Sequence, residues 1–432
     1  MIDPSLRGAD DDHTQVATLA NGVRVLSLRL PHLRTACASV FVRSGSAHER
    51  PADNGISHVV EHMVFKGSAS RNARQINLDA ERLGAEVNAH TDKDHSAFHM
   101  RGLAEHAGLF VQMLGDIVLG PTFPPDELLR EREVLLQELA EDEDDPISVA
   151  FQLFDRSCWG THGVAQPVIG SRRNIERFDR AALQAYVQRQ YTGVNLVLAV
   201  AGPIDHEHIV AQAQAAFGAL AAGQANLLPP PVWQGGQRTR RMAGTSQAHL
   251  VMGFALPGLR EDPVPGTLAA TLFGEGMSSP LMDELRERRG LLYYAASSAD
   301  LLDCSGQLVV EASTAADKLE LALTEVVRLL TGLAGRVDEA ELQRAKNQLL
   351  VRQWRLLERP ARRLESAALD LLALGRVRPH AALCERIQAV QADELAALFA
   401  GLVAQPAAVA ATGALGRGVG PRLRAALAAG AA

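Results

Sequence analysis

Residues Asn54-Gly55-Ile56-Ser57-His58-Val59-Val60-Glu61-His62-Met63-Val64-Phe65-Lys66-Gly67-Ser68 decide how the chain is read. Asp53-Asn54-Gly55 supplies a start signal, and the apolar periodicity from Ile56 to Phe65 predicts a helix. Residues four apart on a helix lie about 40° apart around its axis. His58 and His62 therefore point the same way and offer two imidazole nitrogens to one cation. Glu61 lies within about 60° of His58. It can reach a water on that cation without being a ligand. The order is the reverse of the commoner His-Glu-x-x-His zinc pattern and supports the same chemistry.

A catalytic zinc takes three protein ligands and keeps one position open. The third donor should come from another element. A helix is predicted over 126–143, closed by Asp145-Pro146, and on it Glu131 and Glu138 lie seven residues apart on nearly one face. Glu138 is the expected third ligand. Glu131 is expected one layer back, orienting a histidine. One Zn2+ per chain follows. His90, His95 and His99 also cluster, but the spacing along a single strand does not put all three on one face, so no independent metal site is expected there. His206 and His208 flank a predicted helix start and read as surface residues.

The bulk numbers fit this reading. The 432 residues carry a formal net charge of −7, with 47% hydrophobic and 22% charged residues. That balance points to no nucleic acid and no anionic membrane surface as partner. No apolar run is long enough to span a bilayer, and the first twenty residues do not read as a secretory signal. Cys37, Cys158, Cys304 and Cys384 are scattered, with no CxxC pair, which fits reduced thiols in a cytoplasmic protein.

Outward from the motif, Val25–Leu30 and Ala38–Val42 predict strands, and Glu86–Met100 a hairpin or strand. Helices are predicted at 73–83 and about 103–118. Asn226-Leu227-Leu228-Pro229-Pro230-Pro231, next to Gln234-Gly235-Gly236-Gln237, reads as a linker. Beyond it the order repeats: strands at 249–254, 291–299 and 306–312, helices at 279–288 and over much of 316–400. The last thirty residues are rich in Ala, Gly and Arg, and their end is expected to fray. The predicted class is α+β: two similar halves, each a mostly antiparallel sheet covered by helices.

The motif run resembles the inverted-zinc-motif metallopeptidases, the family of pitrilysin, insulin-degrading enzyme and the mitochondrial processing peptidase. Leu83-Gly84-Ala85-Glu86-Val87-Asn88-Ala89-His90-Thr91, Glu131 to Glu138, Gly276-Met277-Ser278-Ser279 and Leu285 to Tyr293 are similar to further family segments, so the resemblance covers nearly the whole chain. Its length resembles the small two-domain bacterial members.

The resemblance implies a zinc-binding catalytic domain at 1–225, a linker at 226–237 and a homologous second domain at 238–432, together forming half of a clamshell. It implies that Arg286 and Tyr293 hold the substrate backbone and support the oxyanion, and that an extended peptide pairs with Asn88, Ala89, His90 and Thr91. It implies a zinc endopeptidase acting on peptides or unfolded segments inside a dimeric chamber, as a homodimer, or alternatively as a heterodimer with a related processing subunit. Two departures touch substrate recognition: Pro280 stands where an arginine is common, and His90 where a tyrosine is common.

Overall fold

A computed structural model describes residues 13–431. Eleven strands are described, in two sheets. The first holds β1 (Thr14–Thr18), β2 (Arg24–Arg29), β3 (Thr35–Val42), β4 (Glu86–Thr91), β5 (Ser96–Leu103) and β6 (Leu196–Gly202), in the order β1-β2-β6-β3-β5-β4. The second holds β7 (Gly236–Arg241), β8 (Gln247–Leu256), β9 (Leu292–Leu301), β10 (Gly306–Ala315) and β11 (Ala408–Gly413), in the order β7-β11-β8-β10-β9. Each sheet is antiparallel except for one parallel pair, β2 with β6 and β7 with β11. With helices following the strands of both, the class is α+β, as the pattern predicts.

The chain forms two compact units. Among the described residues, the first comprises 13–139, 166–228 and 355–381; the second comprises 140–165, 229–354 and 382–431. The helix Pro146–Trp159 thus belongs to the second unit, and the helix Pro360–Leu374 to the first.

In the first unit, strand alternation sends side chains to two separate cores. On one face α1 (Ile56–Val64), α2 (Ala73–Arg82), α3 (Ala107–Leu119) and α4 (Pro125–Asp144) contribute Val60, Met63, Ile76, Phe110 and Leu135 to a cluster with Val40, Val42, Phe98 and Met100. On the other face Leu26, Leu28, Phe41, Ala97, Val197 and Ala199 pack with Leu364, Ala367, Ala368 and Leu371 of the helix Pro360–Leu374. Central strands buried on both sides lose the in–out alternation of polarity. β6 (LVLAVAG) is buried throughout, as is β11 (AVAATG). β11 lies between β7 and β8, and the helix Val419–Ala431 follows it.

The β4–β5 register corrects one expectation. His90 lies opposite Ala97, and Asn88 opposite His99. The turn between the strands returns the chain so that His90, His95 and His99 share the face on which Ala97 and Phe41 are buried. The single-strand count went wrong because these residues lie on two strands and the turn joining them.

Candidate metal centre

α1 begins at Gly55, whose φ of 101° no other residue adopts without strain. A Cβ there would come within 2.8 Å of Gly170 Cα. Gly55 has no side chain with which to cap the helix, and Glu49 supplies the cap from outside. Its Oε2 accepts from Gly55 N at 2.7 Å and Asn54 Nδ2 at 2.9 Å, and its Oε1 accepts from Ser57 N at 2.8 Å and Ser57 Oγ at 2.5 Å. Ser57 Oγ also meets Tyr186 Oη at 2.6 Å. Burial pushes the Glu49 carboxyl above its usual range, and the hydrogen bonds from Ser57, Gly55 and Asn54 oppose that push. A carboxylate at a helix N-terminus also gains from the helix dipole. Removing it would strand several buried donors, at about 1–3 kcal/mol each. The sequence reading missed this residue. The available signal was a helix start with no Ser, Thr or Asp at the capping position.

With its start fixed, α1 turns one face toward α4. His58 Nε2 lies 3.8 Å and His62 Nε2 3.6 Å from Glu138 Oε2. Donor atoms of His58, His62 and Glu138 all lie within 4.8 Å of one another. Metal–donor bonds of about 2.0–2.2 Å in a tetrahedron set donors about 3.3–3.6 Å apart, so the three groups fit one zinc with little movement. Burial, then the neighbouring His62, pulls the His58 imidazole down to about 4. The ring is therefore neutral near pH 7 and has a lone pair to give. His58 Nδ1 is buried without a hydrogen-bond partner among the described residues.

His62 is held more firmly. Its Nδ1 meets Glu131 Oε1 at 2.9 Å, and Glu131 Oε2 meets Lys66 Nζ at 2.6 Å. Glu131 is buried between the two. The hydrogen bond fixes the proton on Nδ1 and turns the Nε2 lone pair toward Glu138. Lys66, one turn beyond His62, was not singled out in the sequence. Replacing Glu131 by Gln keeps its shape but removes its charge. Zinc affinity is expected to fall about 10- to 100-fold, read by competition with a chromophoric chelator. Unchanged affinity would remove Glu131 from the centre.

Glu61 is half-buried and is not part of the donor cluster. Burial raises its carboxyl above the ordinary range, while hydrogen bonds from the side chain and backbone of Thr91 and the charge of His62 lower it, and Glu138 raises it again. Thr91 ends β4, the outermost strand of its sheet, which pairs only with β5. Asn88, Ala89, His90 and Thr91 all lie on this edge strand.

Arg286 and Tyr293 lie in the second unit, both exposed. Each sits at a local irregularity. Ser279 caps a helical turn at Pro280–Met282, where the proline occupies a first-turn position, and the chain continues into a π-helix over Asp283–Arg288. At the start of β9, Ser313 pairs with Tyr294 and Thr314 with Leu292, which leaves Tyr293 as the extra residue of a β-bulge. π-turns and bulges re-aim side chains and concentrate at functional sites.

Comparison with known proteins adds an independent line. Residues 24–172 match the family model described as insulinase (peptidase family M16), and residues 177–349 match that described as the peptidase M16 inactive domain. An uncharacterized zinc protease of Rickettsia felis is 31% identical over 386 residues, covering 89% of this chain and 93% of that protein. The uncharacterized zinc protease YmxG of Bacillus subtilis is 31% identical over 382 residues, covering 88% and 92%. Among solved structures, a peptidase M16 inactive domain from Pseudomonas fluorescens superposes with a TM-score of 0.85 at 21% identity, covering 93% of this chain and 98% of that one. A protease from Helicobacter pylori gives 0.85 at 21%, covering 92% and 99%. The structures speak to the fold; the family models and the bacterial zinc proteases, aligned over nine-tenths of their own length, show that the chain belongs to the insulinase family of peptidases, M16.

Proposed function

We propose that the chain is a zinc-dependent endopeptidase that hydrolyses peptides or unfolded segments, with 1–225 as its catalytic domain and 238–432 as the domain that helps hold substrate. The observation that carries this reading is the meeting of His58, His62 and Glu138 beside a carboxyl, Glu61, that ligates nothing. A zinc held by those three residues supplies a Lewis acid that acidifies a water and polarises a peptide carbonyl. The chain's own groups do the rest. Glu61 accepts the proton of the attacking water and returns it to the departing amine. Glu131, braced by Lys66, keeps His62 in its ligating tautomer. An extended peptide adds as a further strand beside Asn88, Ala89, His90 and Thr91, so that main-chain hydrogen bonds place the scissile bond. Tyr293 and Arg286 donate to the developing negative charge and to the substrate backbone.

We read the active form as a homodimer enclosing a chamber, since the donor set and the Arg286/Tyr293 pair are both on one chain. A heterodimer with a related subunit is the alternative. Among the described residues no helix is long and apolar enough to cross a membrane. The test is a library of unstructured peptides, with products read by mass spectrometry beside gel filtration of the same sample. The purified chain alone is expected to elute as a dimer, to cut internally, to lose activity with a chelator and to regain it with added zinc. A dimer that cuts nothing with zinc present would leave the chain as a subunit awaiting a different partner.

A further inference from the structure

The other face of the same sheet carries a second group of ligating side chains. His90 Nε2 lies 3.3 Å from His95 Nε2 and 3.7 Å from Glu365 Oε1. The three donors fall within 4.8 Å of one another. His90 comes from β4, His95 from the β4–β5 turn and Glu365 from the helix Pro360–Leu374. None of them belongs to the cluster around His58.

The hydrogen bonds decide what this group can hold. His95 Nδ1 lies 2.8 Å from Asp94 Oδ1, and a carboxylate there accepts a hydrogen bond from Nδ1–H and keeps the proton on that nitrogen. When His95 is neutral its Nε2 is then a lone pair, and it faces His90 Nε2. The other nitrogen of His90 is engaged, Nδ1 lying 3.1 Å from His99 Nε2, and His99 Nδ1 meets Ser39 Oγ at 2.8 Å. Glu365 Oε2 accepts from Arg362 Nη1 at 2.8 Å, which leaves Oε1 toward His90. With the His90 proton on Nδ1, toward His99 Nε2, both facing Nε2 atoms present lone pairs, and a cation between them holds that arrangement. A proton joins two atoms in a line, but three donors converge here. The separations of 3.3 and 3.7 Å match, within a few tenths of an ångström, the edges of a tetrahedron with bonds of about 2.0–2.2 Å.

We propose that His90, His95 and Glu365 form a second transition-metal site, with Asp94 and His99 holding the two rings in ligating orientation. Two imidazoles and a carboxylate select Zn2+, Co2+, Ni2+ or Cu2+ over the hard ions Mg2+ and Ca2+. Burial lowers the His90 imidazole and brings His99 to about 3, which keeps both neutral near pH 7. Burial also works against the charge on His95, but Asp94, Asp92 and Glu365 outweigh it and raise that ring, so protons compete with the metal as pH falls. An ion there would tie the edge strand to the helix behind it, one residue from Thr91 and its hydrogen bonds to Glu61.

The site stands apart from the first, and its test separates the two. Full-length chain is stripped with chelator, given zinc and measured by native mass spectrometry. The parent is expected to hold two ions. The double variant H95Q/E365Q is expected to hold one fewer than the parent, as is Glu138→Ala, each losing a different ion. The single change Glu365→Gln, at a half-buried helix position, guards against misfolding of the double variant and is expected to weaken one ion more than tenfold. Cobalt substitution gives a second readout, with the double variant losing part of the visible absorption. If H95Q/E365Q holds as many ions as the parent, the site does not exist. An ion lost in H95Q/E365Q but none lost in Glu138→Ala would uphold the second site and sink the first.

Discussion

Glu61→Gln is expected to lower kcat/KM about 10²- to 10⁴-fold, the range attributed to a positioned general base, while metal content stays at the parent value. An amide fills the same space and accepts the same Thr91 hydrogen bonds at its oxygen, but it takes no proton from water. Glu61 is not among the three converging donors, so its charge is not needed to hold the ion. The prediction therefore has two halves, read by peptide cleavage and by elemental analysis on one sample. Cleavage at the parent rate would remove Glu61 as the base. Loss of metal together with loss of cleavage would make Glu61 a ligand and overturn the assignment of the three donors.

Glu138→Ala carries the complementary expectation: the ion goes first, and activity goes with it. Glu138 Oε2 lies within 4 Å of both imidazole Nε2 atoms. Without it two imidazoles remain, and affinity should fall further than the about 10- to 100-fold expected from an outer partner such as Glu131. In zinc-buffered solution the variant should be no more active than Glu61→Gln. Its metal-free fold should hold, because Glu138 is half-exposed and its neighbours on α4, Leu135 and Leu139, carry the buried contacts. Parent-like zinc binding in Glu138→Ala would end the reading of this centre.

How much of this the sequence disclosed follows from the range of the interactions. His58, His62 and Glu61 are set by the pitch of one helix, so their common face was readable from spacing alone. Glu131 and Glu138 were readable as a pair on one stripe, with Glu138 as the expected ligand and Glu131 as the expected partner of a histidine; which histidine Glu131 would meet was not readable. The cap from Glu49 and the brace from Lys66 depend on how a loop and a helix end pack, and no local pattern announces them. β6 and β11 were missed because strands buried on both faces carry no period-two signal. Glu86–Met100 was readable as a hairpin or a strand, but the turn between β4 and β5 and its parity were not, and that parity gathers His90, His95 and His99. The irregular turns at Arg286 and Tyr293 follow from hydrogen-bond register, which composition does not encode.

The outer layer of the first unit comes from far along the chain. Leu364, Ala367, Ala368 and Leu371 cover a sheet face whose own strands are complete by Gly202. During synthesis the zinc-side half of this unit can condense while that face still lies open, a greasy surface with Leu26, Leu28, Phe41 and Val197 bare. The ribosome must deliver some 170 further residues (202 to 371) before the cover arrives. A fragment cut at the Pro-rich stretch near Pro229 would never receive it. Such a fragment would be prone to clump, and chaperones have a defined window in which to shield the nascent protein.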